Sequence, residues 1–252
     1  MDAMDRTAKV ALLTCTLAAA GLLVACGSDH ASIRFVHAAV SAPSSPVVAL
    51  DIAVDGKSVA SSVPYQGVFP SSDYQSFAAG GRHVEMSTAG TTDDLINTTI
   101  PFAAGRHYTL CAIGFQPLPD GASSNFGIAA ALLTDDNSAP PAGNIKIRIL
   151  HAAPLDGIDP NGVNLDIYIV PPGTDITTVS PSVPNLPYGQ ASGYQSVPAT
   201  SNQVIFTVAG SKSAVITQTY PLSAGQIRTL IAVNQQNGTG LSPTPVVLAD
   251  AN

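Results

Sequence analysis

The chain has 252 residues and a net charge of −7, with 17 Asp and Glu against 10 Lys and Arg. This acidic balance, with no basic run, excludes nucleic acid as a partner, because a phosphate footprint needs clustered Lys and Arg. Trp is absent, Glu85 is the only glutamate and Gly, Pro, Ser, Thr and Val are plentiful, a composition suited to strands and turns rather than long surface helices.

Residues 1–9 carry Arg6 and Lys9, with Asp2 and Asp5 unusual beside them. Residues 10–24 are an apolar run, shorter than the roughly 20 residues of a spanning helix, so the start reads as a signal peptide. The run closes on Leu23-Val24-Ala25-Cys26, which has the form of a lipobox. Cleavage before Cys26 places a lipid on its thiol, and more than one acyl chain gives a stable anchor where a single chain binds only marginally. Gly27 and Ser28 follow, with no aspartate to signal inner-membrane retention, so the outer membrane of a diderm host is favoured. Cys15 leaves with the signal and Cys111 remains alone, so no intramolecular disulfide forms in the mature chain.

The mature chain is a duplication. Ile33-Arg34-Phe35-Val36-His37-Ala38-Ala39 matches Ile147-Arg148-Ile149-Leu150-His151-Ala152-Ala153, and Leu50-Asp51-Ile52 matches Leu165-Asp166-Ile167. Pro64-Tyr65 and Pro187-Tyr188 follow, then Tyr74-Gln75-Ser76 and Tyr194-Gln195-Ser196, and finally residues 101–112 and 221–232, all in one order. The predicted organisation is a signal peptide at 1–25, a lipidated tether at 26–31, one repeat at 32–137, a Pro-bearing linker at 138–144 and the second repeat at 145–252. Strands are expected near 32–38, 47–54, 57–61, 73–78, 82–88, 94–100, 106–115 and 127–134. Val48, Leu50, Ile52 and Val54 alternate with Ala49, Asp51 and Ala53, the period of a half-buried strand. Short strands at this spacing favour a sandwich or barrel.

These ordered motifs behind a lipobox resemble the bacterial envelope proteins of domain-of-unknown-function family 4397. The resemblance spans nearly the whole mature chain and implies two tandem immunoglobulin-like β-sandwich domains, an all-β fold. It brings no established activity. The acidic stretch at 155–164 departs from the plainer Ser/Pro stretch of the first repeat.

His37 and His151 recur at one position, each continuing an apolar strand face, and read as structural side chains bonded to nearby backbone. His30, His83 and His107 do not recur. Asp51 and Asp166 point away from the core side, which separates them from the histidines and argues against a His–Asp catalytic pair. Arg34 and Arg148 are read on outward faces too, so that Arg34–Asp51 and Arg148–Asp166 form cross-strand ion pairs. Cys111 stands where the second repeat has Ile231 and reads as inert apolar filling. Asp156, Asp159, Asn161, Gly162 and Asn164 suggest Ca²⁺ ligands, but their register as an EF-hand loop places Gly157 first and Tyr168 last, so a solvated turn is the better reading. Asn97-Thr98-Thr99 and Asn237-Gly238-Thr239 fit the glycosylation pattern and carry little weight in a bacterial lipoprotein. No Gly-x-Ser-x-Gly or His-Glu-x-x-His motif occurs.

The sequence thus points to a lipid-anchored protein of the cell envelope, without cofactor or metal, whose role is binding, adhesion or scaffolding. Its expected partners are the membrane through Cys26 and an envelope protein or glycan. One alternative is a carbohydrate- or peptidoglycan-binding module, with Tyr65, Tyr74, Tyr188 and Tyr194 as its aromatic surface. Another is an envelope hydrolase, which would need a cleft holding a nucleophile and a base.

Overall fold

A strand buried on one face alternates apolar and polar side chains, whereas one buried on both reads as an apolar run. The strand β1 (His30–Val40) is of the second kind, and the architecture follows from what covers each of its faces. A computed structural model describes residues 29–41, 45, 48–154, 163–236, 240–242 and 244–251. The lipobox, residues 155–162 of the acidic stretch and residues 237–239 lie outside the described residues.

In the first half, β1 pairs on one side with β4 (Val68–Phe69) and β5 (Gln75–Ala78), and on the other with β8 (His107–Phe115), which pairs in turn with β9 (Ala129–Asp135). The facing sheet runs β3 (Lys57–Val63), β2 (Leu50–Val54), β6 (Gly80–Thr88), β7 (Asp94–Phe102). The second half repeats this plan. One sheet runs β13 (Gln195–Pro198), β10 (Asn144–His151), β16 (Ile227–Ala232), β17 (Val246–Ala251), and the other β12 (Val183–Leu186), β11 (Leu165–Val170), β14 (Gln203–Val208), β15 (Ala214–Thr219). The ladders are antiparallel except β1–β8 and β10–β16, which are parallel. Their registers correspond, with His37 opposite Ala112 and His151 opposite Ala232. The eight strands expected in the first half are all present with ends displaced by a few residues, and β4 is an added short one. The all-β, tandem-sandwich reading holds.

Each half has its own core. Ile33, Phe35 and Ala39 of β1 meet Leu50, Ile52, Val84 and Met86 of the facing sheet. Ile145, Ile147 and Ile149 of β10 meet Leu165, Ile167, Val204 and Phe206. The other faces of β1 and β10 do not look into water. Val36, Ala38, Cys111 and Ile113 pack with Leu150, Ala152, Ile231 and Val233 in a third core, between the halves.

A ring of charge sits beside this third core. Arg34 donates through Nε to Thr109 Oγ1 at 2.7 Å, through Nη1 to the Ala249 carbonyl at 2.9 Å, and through Nη2 to the carboxylates of Asp250 and Asp135. Arg148 repeats the pattern in reverse, with Nε to Thr229 Oγ1 at 3.1 Å, Nη1 to the Thr134 carbonyl at 2.9 Å and Nη2 to Asp135. Tyr74 donates to Asp135 at 2.8 Å and Tyr194 to Asp250 at 2.7 Å. The hydroxyls of Thr109 and Thr229 donate to the same two carboxylates, both at 2.6 Å. Each guanidinium also lies over a tyrosine ring, Arg34 over Tyr74 and Arg148 over Tyr194. The arginine side chains are 3–4% exposed and the two aspartates 0%. Each half supplies one Arg, one Asp, one Thr and one Tyr, and each Arg crosses to the Asp of the other half, so the seam has local two-fold symmetry and no net charge.

The expected Arg34–Asp51 and Arg148–Asp166 pairs do not form. In each half the Arg and the Asp lie in different sheets, and the arginines are buried because the other half covers their face. Asp51 instead accepts from the backbone N–H of Ser62 at 2.7 Å and of Gly90 at 2.9 Å. Asp166 accepts from those of Asn185 and Gly210 at the same two distances. Ser62 and Asn185 both have positive φ, so each carboxylate holds an irregular turn of the strand edge against the tip of a hairpin. The linker is pinned as well, with Lys146 Nζ bonding Asp136 at 2.9 Å and the Ser138 carbonyl at 2.7 Å.

Removal of the Asp135 carboxylate strips both guanidinium groups of a partner while leaving them buried. We expect Asp135→Ala to cost about 3–5 kcal/mol, measured by urea unfolding, with far-UV circular dichroism and tyrosine fluorescence falling in one coincident transition. A midpoint equal to wild type would show that the seam contributes nothing to stability.

Candidate functional site

The recurring histidines are clamps between sheets. His37 Nε2 donates to the Val48 carbonyl at 2.9 Å, and His151 Nε2 to the Val163 carbonyl at 2.8 Å. Val48 and Val163 lead into β2 and β11, so each ring ties the end of an inner strand to the start of an outer one. The rings are 1% and 0% exposed and meet Tyr65 and Tyr188 edge-on. Burial disfavours the imidazolium and lowers both pKa values, that of His151 to about 4. These are neutral imidazoles whose N–H is committed to backbone.

The four tyrosines considered as a glycan surface are half-buried and occupied. Tyr74 and Tyr194 belong to the ionic seam. Tyr65 reaches across to donate to the Asn234 carbonyl at 2.7 Å, and Tyr188 stacks edge-on against Phe126 of the first half. Both Pro-Tyr turns therefore serve the contact between halves. Cys111 is fully buried in the third core, and burial pushes its thiol up to about 12. Among the described residues no three His, Cys, Asp or Glu side chains converge as metal ligands would.

The outer faces of the two outer sheets differ. In the first half, β2 and β6 present Asp51, Ala53, Glu85 and Ser87. The register places Asp166, Tyr168, Ile205 and Thr207 at the matching positions of β11 and β14. The first half joins β2 to β3 by the two-residue hairpin Asp55-Gly56. In the second, residues 171–182 intervene between β11 and β12, and Ile176 and Val179 from that segment pack on Tyr168, Val170 and Ile205. Lys212 closes the edge, its Nζ over the Tyr168 ring and bonded to the Val179 carbonyl. One outer face is thus sealed. The other is an open groove of about 380 Å³, lined by Ser58, Ser61, Glu85, Ser87, Thr91 and Asp94 among others. Its volume falls within the range of small-ligand sites, and its hydroxyls and carboxylates offer donors and acceptors on a rigid sheet.

Sequence reasoning missed the partners of the arginines, although the signal was present. Leu132-Leu133-Thr134-Asp135 and Val247-Leu248-Ala249-Asp250 occupy matching places before the end of each repeat. The groove was missed because its distinction lies in a segment of the other repeat.

The imidazole environment has a testable consequence. Unfolded histidine titrates near 6.5 and folded His151 near 4, so between these values the unfolded chain takes up the proton first. Stability therefore falls as pH drops from about 6.5 towards 4, by up to about 3 kcal/mol from this residue, and His37 acts in the same direction. His151→Gln should show a shallower loss than wild type between pH 7 and pH 4 in urea titrations. Equal losses would mean that His151 is not buried neutral.

Known proteins add a family and little else. The family model described as "Domain of unknown function (DUF4397)" matches residues 31–157 and again 158–252. No curated protein is similar to the chain. Among solved structures, the carbohydrate-binding module CBMbc (family CBM26) from Eubacterium rectale Amy13K, in complex with maltoheptaose, overlaps 88% of this chain and 98% of its own at 12% identity. Its TM-score is 0.25, too low to carry an argument about this chain. With both halves matched, the chain belongs to the DUF4397 family, as two tandem copies.

Proposed function

We propose that this protein is a lipid-anchored, non-enzymatic binding or scaffolding protein of the bacterial cell envelope, and that it meets its partner on the open outer face of its first half. The observation that carries this reading is the divergence of the two outer faces. Two copies of one sandwich share core, seam and histidine clamps, yet one outer face is packed shut by residues 171–182 and the other is left polar and open. The recurring titratable side chains support a non-enzymatic role, since His37, His151, Arg34, Arg148, Asp51 and Asp166 are all engaged within the fold. Leu23-Val24-Ala25-Cys26 supports the lipid anchor, and Gly27 and Ser28 support an outer-membrane position in a diderm host.

A glycan or peptidoglycan partner is the second reading. It draws on the hydroxyls of Ser58, Ser61 and Ser87 and the carboxylates of Glu85 and Asp94, groups that pair with sugar hydroxyls, and not on the four tyrosines.

Two measurements test these readings separately. Cells labelled with a palmitate analogue should incorporate label into the wild type, with the protein in the membrane fraction, and Cys26→Ser should abolish both. Label retained by that variant would refute the anchor. A photo-reactive residue placed at Ser87 should then crosslink to an envelope protein or glycan in intact cells, whereas one at the exposed Val215 of the second half should not. The same products from both positions, or none from Ser87, would refute the face.

A further inference from the structure

Outside the seam, the basic residues of the first half are gathered at one end. Its Lys and Arg residues are Arg34, Lys57, Arg82 and Arg106, and Arg34 is sealed in the seam. The other three lie at the end of the sandwich where β1 begins. Lys57 follows the β2–β3 hairpin, the Arg82 guanidinium bonds Asp55 of that hairpin at 3.0 Å, and the Arg106 carbonyl accepts from Ser32. Asp29, Asp55 and Asp136 lie at this end as well, Asp55 paired with Arg82 and Asp136 with Lys146, while Asp51, Asp93, Asp94 and Asp120 stand at the opposite end. Asp51 is on β2 and accepts from Gly90 of the β6–β7 hairpin, which carries Asp93 and leads into Asp94, and Asp120 is on the loop after β8, whose Gln116 bonds Val40.

The basic end holds a cleft of about 470 Å³ between the edge strands β3 and β5. His30, Lys57 and Arg82 stand on it, and Val54, Val59 and Phe77 supply apolar surface. Asp55, the carboxylate in its lining, is paired with Arg82, so these two charges offset and Lys57 carries the net positive charge of the cleft. The cleft lies at the first residue of β1, and only Gly27, Ser28 and Asp29 separate that residue from Cys26. Fully extended, those steps reach roughly 14 Å. A lipid on Cys26 therefore brings this end, and not the acidic one, against the membrane surface.

We infer that the cleft beside His30 is a membrane-facing site for the phosphate of an anionic lipid headgroup, with Lys57 and Arg82 as its charge partners and Phe77 and Val59 against the apolar part of the lipid. The inference rests on anchoring at Cys26 for the nearness of the membrane. Its chemistry rests on charge complementarity and does not require the anchor. It also fixes orientation, because the acidic end then projects away from a surface that would repel it.

The test uses the chain beginning at Gly27, which carries every described strand and has no Cys26 to lipidate. This protein is sedimented with vesicles of phosphatidylcholine alone and with added phosphatidylglycerol. It should bind the anionic vesicles well above the neutral ones. Lys57→Gln should weaken that binding about five-fold, and Lys57→Gln with Arg82→Gln about 25-fold. Lys212→Gln, on the second half, should leave it unchanged, with melting temperatures confirming that each variant is folded. Equal binding to both vesicles, binding to neither, or variants indistinguishable from wild type would overturn the site. Because no lipid is attached here, failure in this assay leaves the Cys26 reading standing, and a failed palmitate label leaves this result standing.

Discussion

The arrangement of the two halves depends on a seam of two arginines and two aspartates removed from water. Such a group is a poor source of net stability, because desolvation of the ions offsets much of their attraction. What it supplies is a penalty for every other arrangement. A docking displaced by one strand position would bury a guanidinium without a carboxylate, at a cost no neighbouring apolar contact could offset. Burial by itself would lower the Arg34 pKa, but Asp250, Tyr74 and Asp135 more than offset it and hold the charge in place. The apolar residues between Val36 and Val233 supply attraction between the sheets, and the ions fix the register in which they attract.

Reciprocity explains why both copies retain the same four residue types. Arg34 needs the Asp of the second copy and Arg148 that of the first, so neither repeat could lose its Asp without stranding an arginine across the interface. The tyrosines are bound by the same logic. Each phenol donates to a buried carboxylate and lies under a guanidinium, and burial, reinforced by the carboxylates, raises both pKa values so that the donor hydrogen is kept. Residues that look in isolation like a sugar-binding platform are the inner lining of a joint.

With the inner faces bound to each other, divergence was free to act on the outer ones. Replacing the pair Ala53 and Glu85 by Tyr168 and Ile205 at matching positions demands a cover for exposed apolar surface, and residues 171–182 provide it. The same backbone thus carries one closed and one open face. Outside the seam, Lys57, Arg82 and Arg106 of the first half lie near the start of β1, while Asp51, Asp93, Asp94 and Asp120 stand at the far end.

The amino-acid sequence by itself determined the duplication, the strand pattern and the inward place of the histidines. Period-two alternation and ordered repetition are local properties, and burial of one face of a sheet enforces them directly. It also contained, unread, the second apolar stripe of Val36, Ala38, Cys111 and Ile113, since a strand buried on both faces lacks the polar side that alternation looks for. The tertiary structure alone decided which partners the charged residues take. Arg34 and Asp250 are separated by 216 positions, and their pairing follows from two sheets meeting face to face, which no local period encodes. It decided, too, which outer face stays open, because the segment that seals one of them acts by folding back over a neighbouring sheet, a long-range packing choice that its own residues do not announce.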